Sequence, residues 1–196
     1  MTQAIVSIGC NCTVAIWLKG QRLRTQSLLF DWTRSTLQSV VDVLTRGLAW
    51  HLGHMDDPGY PVDYPHHPGN RAYKERCARR FFDVMEHAQD LLLVHCSPHT
   101  VRPGDLAAVE HAVALHRQDF RVLCLYGFKG KGAGVVSRTE LSPRTAYLTI
   151  DAPKEFNTNR MTGEFYDDLA RKVLPAMDRS QIYVSGAVEV EDVDPA

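Results

Sequence analysis

Short apolar runs alternate with segments of helical spacing along most of this chain, and that alternation constrains the fold more than any other feature. Ala4–Ile8, Asp90–Cys96, Arg121–Tyr126 and Thr145–Ile150 are rich in Val, Ile and Leu, and each is strand-length rather than helix-length. Between them lie helical patterns. Val14, Trp17 and Leu18 follow the first run; Leu37, Val40, Val41 and Leu44 form the stripe of a helix capped by Thr33 or Ser35 and running to about Arg46; Tyr73, Cys77, Phe81, Val84, Met85 and Ala88 share a face within 72–89. Pro103 opens a helix through Arg117, and 163–177 reads as the last. Strand–helix alternation predicts a largely parallel sheet flanked by helices, a three-layer α/β domain over 1–188 with ligands at the carboxyl ends of the strands. Residues 189–196 form an acidic tail.

Two interruptions break the pattern. Trp50 to Asn70 is rich in Pro, His, Gly and Asp, so a long ordered loop is expected over 50–70, and loops of that length are often functional. Gly127 to Gly134 holds Lys129 and Lys131 and reads as a flexible loop, with Val135 and Val136 adding a short strand. The glycine-rich stretch lacks the Gly-Lys-Ser/Thr ending of a phosphate loop, which leaves a mobile lid or an anion-binding loop.

A formal net charge of -1 and a pI near 6.7 give no electrostatic case for nucleic acid or an anionic membrane. No apolar run is long enough to span a bilayer and no basic-then-apolar leader opens the chain, so a cytoplasmic protein is expected. The five cysteines are odd in number and sit mostly in core-like segments, which argues against a disulfide framework.

Chemistry is expected first at the turn after the opening strand. Gly9 permits a sharp turn, Asn11 is a candidate N-cap, and Cys10 and Cys12 stand where a strand hands over to a helix. Backbone N–H groups there favour a thiolate and could hold an oxyanion. A thiol nucleophile needs an imidazole, and His66 and His67 in the Pro-rich loop are the leading candidates, with His51, His54 and His95 as alternatives. Asp31, between Phe30 and Trp32, must be paired: either locked by Arg22, Arg24 or a backbone N–H group, or orienting a histidine. Zinc is disfavoured because Cys10 and Cys12 stand one residue apart with no second pair, and no cofactor is called for.

These segments carry a resemblance. Ser7-Ile-Gly-Cys-Asn-Cys-Thr-Val-Ala15, Leu18 and Leu23-Arg-Thr-Gln-Ser-Leu-Leu-Phe-Asp-Trp32 resemble the opening block of DUF1796, a bacterial family described as predicted papain-like cysteine peptidases. Tyr64-Pro-His-His67 stands in for the family's Phe-x-His-Asp segment, Arg76-Cys-Ala-Arg-Arg-Phe81 for its arginine-bearing helix, and Leu91–Val94 for its apolar strand. Tyr64 and His67 depart from the family's Phe and Asp. The resemblance implies a cysteine-dependent acyl-transfer enzyme with Cys12 as nucleophile, His66 as base and Asp31 as the orienting carboxylate. Gly9, Cys10 and Asn11 would supply the oxyanion turn, and the substrate would be a small-molecule, peptide or glycan-linked amide or thioester. The rival expectation is a non-catalytic α/β domain that binds a nucleotide, sugar or phosphate through Arg22, Arg24, Lys129 and Lys131.

Overall fold

A computed structural model describes residues 3–9, 13–97, 99–153, 164–174 and 186. Its elements in chain order are β1 (Gln3–Ser7), α1 (Thr13–Gly20), α2 (Leu37–His54), α3 (Arg71–His87), β2 (Asp90–Ser97), α4 (Pro103–Ala114), β3 (Phe120–Glu140), β4 (Thr145–Pro153) and α5 (Glu164–Val173). The expected mixed α/β fold with a mostly parallel sheet is present.

β1, β2 and the first half of β3 run parallel in that order, in the registers Ser7↔Val94 and Val94↔Leu123. β4 then pairs with β3 twice. Residues 122–131 lie parallel to it, from Val122↔Thr145 to Lys131↔Pro153. Residues 134–140 run back antiparallel, from Gly134↔Asp151 to Glu140↔Ala146. The chain thus wraps the end of β4, and among the described residues the sheet has five strands.

This corrects the reading of 127–134 as a flexible loop. The segment is extended and paired, and its turn is fastened from inside. The Asp151 carboxylate accepts hydrogen bonds from the backbone N–H groups of Lys131 (2.8 Å), Gly132 (3.4 Å) and Ala133 (3.4 Å). Gly132 and Gly134 take φ of +80° and +85° to aim those groups inward. A Cβ on Gly130 would stand 1.9 Å from Asp151 Oδ1, so only glycine fits there.

Alternate strand residues feed two apolar clusters. Ala4, Val6, Ile8, Leu91, Leu93, Val122 and Cys124 pack with side chains of α2, α3 and α4. Ile5, Leu92, Val94, Leu123, Leu125, Leu148 and Ile150 pack with Val14, Trp17 and Leu18 of α1 and Leu169 of α5. Burial on both faces explains why these strands are continuous apolar runs rather than alternating ones.

The helix ends differ from expectation in instructive ways. α2 is capped by Thr36, not by Thr33 or Ser35: Thr36 Oγ1 accepts from Ser39 N (3.1 Å), and Ser39 Oγ accepts from Thr36 N (3.2 Å). It continues past Arg46 to His54 with a kink at Gly47 (φ +80°), so His51 and His54 belong to a helix rather than to the loop. α3 begins where Asn70 Oδ1 accepts from Tyr73 N (3.1 Å). Among the described residues no helix is long and apolar enough to cross a membrane. The acidic 189–196 segment lies outside the described residues.

Candidate functional site

Cys10, Asn11 and Cys12 also lie outside the described residues, so the site is built from what brackets them. Two residues past the end of β1, Gly9 takes φ +86°, a left-handed conformation that glycine adopts without strain. Ser35 Oγ occupies the space a Cβ on residue 9 would take, 2.2 Å from that position. On the far side, α1 begins at Thr13, and Ile16 packs against Trp32, Tyr73 and Cys77.

The segment between α1 and α2 is irregular and tied down by polar contacts. Arg24 Nε donates to Asp31 Oδ2 at 2.9 Å, with both side chains almost wholly buried (6% and 2% exposed). The same oxygen accepts from Leu28 N at 2.8 Å. Arg24 also donates to Ser27 Oγ, and Ser27 Oγ accepts from Trp32 Nε1 at 3.3 Å. The Arg24 guanidinium sits 5.0 Å from the Trp32 ring centre. Asp31 therefore has the partners foreseen for a structural lock: an arginine and a backbone N–H group.

The loop carrying the histidines is clamped to this segment by paired backbone bonds between Arg34 and Asp63 (2.9 and 3.0 Å) and by Ser39 Oγ donating to the Pro61 carbonyl (2.8 Å). That clamp brings His66 to Trp32, edge to face, with ring centres 6.0 Å apart. His67 stacks on Tyr73 at 3.8 Å. His66 is exposed, and its neighbour His67 is half-buried. Trp32 is the common surface: it touches Ile16 of α1, the Arg24 guanidinium and His66.

A third imidazole approaches from the sheet. His95 on β2 is buried and bonds the Ile8 carbonyl through Nδ1 at 3.1 Å, one residue before the Gly9 turn. The carbonyl can only accept, so Nδ1 carries the proton. Burial lowers the pKa of His95, with the Ile8 bond acting weakly the other way. The ring is accordingly neutral, with its lone pair on Nε2.

His51 lies elsewhere, under the loop. Its Nδ1 is hydrogen-bonded to Tyr60 Oη (2.5 Å) and its Nε2 to Tyr64 Oη (3.2 Å). Burial, reinforced by the Lys74 ammonium, lowers its pKa to about 4. Lys74 is held by Asp56 (2.7 Å), which Arg71 also binds (2.7 Å). Neither this network nor the burial of three hydroxyls was visible in the sequence. Among the described residues the hydroxyls of Ser7, Thr33 and Ser35 have no hydrogen-bond partner. The hydroxyls at Thr33 and Ser35 are visible in the sequence, where they look like helix caps.

Of the cations named for anion binding, Arg24 is inside and paired, whereas Arg22 and Lys131 are exposed. The side chain of Lys129 is outside the description. The N–H groups of the glycine-rich turn are already occupied by Asp151. Among the described residues no three His, Cys, Asp or Glu side chains gather as a metal would require.

Residues 3–83, which contain β1, α1, the Arg24–Asp31 segment, the His66 loop and most of α3, match the model of a family described as "Putative papain-like cysteine peptidase (DUF1796)". The resemblance read from the residues thus holds over that stretch. No curated protein and no solved structure matches the chain.

Proposed function

We propose that the protein is a cysteine-dependent acyl-transfer enzyme of the papain-like kind, acting on an amide or thioester, with Cys12 as nucleophile and His66 as general base. The observation that carries this reading is the Trp32 surface, on which the histidine loop meets the helix that starts one residue after Cys12. Cys12 attacks the carbonyl as the thiolate, forming a C–S bond. The imidazole takes the thiol proton and returns it to the leaving nitrogen or sulfur, and water or a second acceptor then releases the acyl group. N–H groups of the Gly9–Cys12 turn bind the oxyanion. Asp31 is a positioning residue at one remove: it fixes Arg24, which lies over Trp32, which faces His66.

His95 supports a second assignment of the base, since its neutral tautomer presents Nε2 and its Nδ1 is anchored to the strand that enters the turn. One experiment separates the two. Cysteine alkylation by iodoacetamide is followed by mass spectrometry from pH 5 to 9 in the wild type, His66→Ala and His95→Gln. Cys77, Cys96 and Cys124 are buried, so selective labelling is readable. Cys12 is expected to label fastest and below pH 7, and loss of the true base should slow it by about tenfold or more at pH 6.5. Slow, equal labelling of every cysteine would remove the enzyme reading and leave a ligand-binding domain.

A further inference from the structure

On α3, Tyr73, Arg76, Cys77 and Arg80 stand at helical spacings that place them on one face, and that face meets Trp32 and Ile16. The basic residues around it are almost all accounted for. Arg71 pairs with Asp56 and Glu75, Lys74 with Asp56, and Arg24 with Asp31. Arg76 differs. It is half-buried, its Nε is shielded from solvent, and among the described residues no acceptor or carboxylate reaches it. Its one contact of note is its own helix neighbour, with the guanidinium carbon 5.9 Å from the centre of the Tyr73 ring. The same Tyr73 ring is covered by His67.

A guanidinium donates through five N–H groups and accepts nothing, so shielding it without an acceptor is costly. The Trp32–Tyr73–Cys77–Ile16 floor beside it lowers the local dielectric and strengthens any charge pair formed there. The fork matches two oxygens of one planar or tetrahedral anion. Resting on the reading of the site as a thiol enzyme, we propose that Arg76 is a specificity-determining residue that binds an anionic oxygen group, carboxylate or phosphate, carried by the acyl substrate. Tyr73 and His67 form the wall that orients it. An acidic substrate is then preferred over a neutral one of the same shape.

The test compares iodoacetate with iodoacetamide at Cys12 in the wild type, Arg76→Gln and Arg76→Lys. The two reagents differ only in carrying a carboxylate or an amide. The wild-type ratio of iodoacetate to iodoacetamide rates should fall about tenfold in Arg76→Gln, a ratio that cancels any change in thiol reactivity common to both reagents. Arg76→Lys should recover only part, since it keeps the charge and loses the fork. Protection against iodoacetate by inorganic phosphate, present in the wild type and absent in Arg76→Gln, assigns a phosphate-bearing substrate; the fall in ratio without phosphate protection assigns a carboxylate. A ratio unaltered in Arg76→Gln overturns the inference. If iodoacetamide itself fails to label Cys12 selectively, the enzyme reading falls separately. Thermal melting in succinate, phosphate and chloride at equal ionic strength then decides Arg76 alone: stabilisation by succinate or phosphate that Arg76→Gln abolishes upholds an anion site, and none overturns it.

Discussion

Acidification should loosen the histidine loop through His51. The imidazole is fully buried, bonded on both nitrogens to tyrosine hydroxyls, and faced by the Lys74 ammonium, which Asp56 only partly offsets. In this setting the neutral ring is favoured, and its pKa falls from 6.5 to about 4. The unfolded chain therefore binds a proton that the folded one refuses. The stabilisation is complete above pH 6.5, declines as pH falls towards 4, and is gone below that. At about 1.4 kcal/mol per tenfold change in proton affinity, the contribution is about 3 kcal/mol. That is a large fraction of the roughly 5–15 kcal/mol that holds a domain together. Urea denaturation at steps from pH 7.5 to 4, in the wild type and His51→Gln, isolates it. Glutamine can still bond a tyrosine hydroxyl but does not titrate. The variant is expected to be weaker at pH 7 and flatter with pH, so that the difference between the two shrinks by about 3 kcal/mol on acidification. His95 contributes in the same direction in both proteins and cancels. Parallel curves, or a gap that widens in acid, would refute the reasoning.

Two further outcomes follow from buried contacts. Asp31→Ala should cost about 3–5 kcal/mol, because it strands the Arg24 guanidinium, whereas the double variant Arg24→Met/Asp31→Leu should lose much less; a denaturant-based double-mutant cycle measures the coupling, and additive losses would show that the pair is not a lock. Gly9→Ala should cost about 1–3 kcal/mol for the left-handed backbone in addition to the clash with Ser35 Oγ, and adding Ser35→Gly should restore only the steric part in a thermal melt; an unchanged melting temperature for Gly9→Ala would refute both terms.

The parallel strands were legible because a strand buried on both faces must be almost wholly apolar, as Leu91–Val94 is and as Ala4–Ile8 is but for Ser7. The return strand over 134–140 was not. Glycine density in 127–134 signals local freedom, yet pairing along β4 and the Asp151 carboxylate supply the order from far away in the sequence. Thr33, Ser35 and Thr36 have similar capping propensity, and only Ser39, through its reciprocal bond, selects Thr36. The stripe ending at Leu44 marks a helix only to about Arg46, but packing on both sides of Gly47 carries α2 through a kink to His51.

The same division holds at the site. Asp31 was legible as a residue requiring a partner, since a carboxylate flanked by Phe30 and Trp32 cannot be left unpaired, and Arg24 stands seven positions away. His66 was legible as a candidate but its setting against Trp32 was not, and Arg76 was not singled out, because Trp32 and Tyr73 are brought to α1 by packing rather than by sequence spacing. An arginine in the pattern Arg76-Cys-Ala-Arg-Arg80 reads as one of several solvated charges. Only after α3 is laid against Trp32 does it become a shielded cation without a counter-charge among the described residues. A nucleophile can be guessed from a turn, but the preference for one acyl group over another resides in contacts that no local pattern encodes, which is why the anion dependence of Cys12 labelling bears on specificity more directly than any motif.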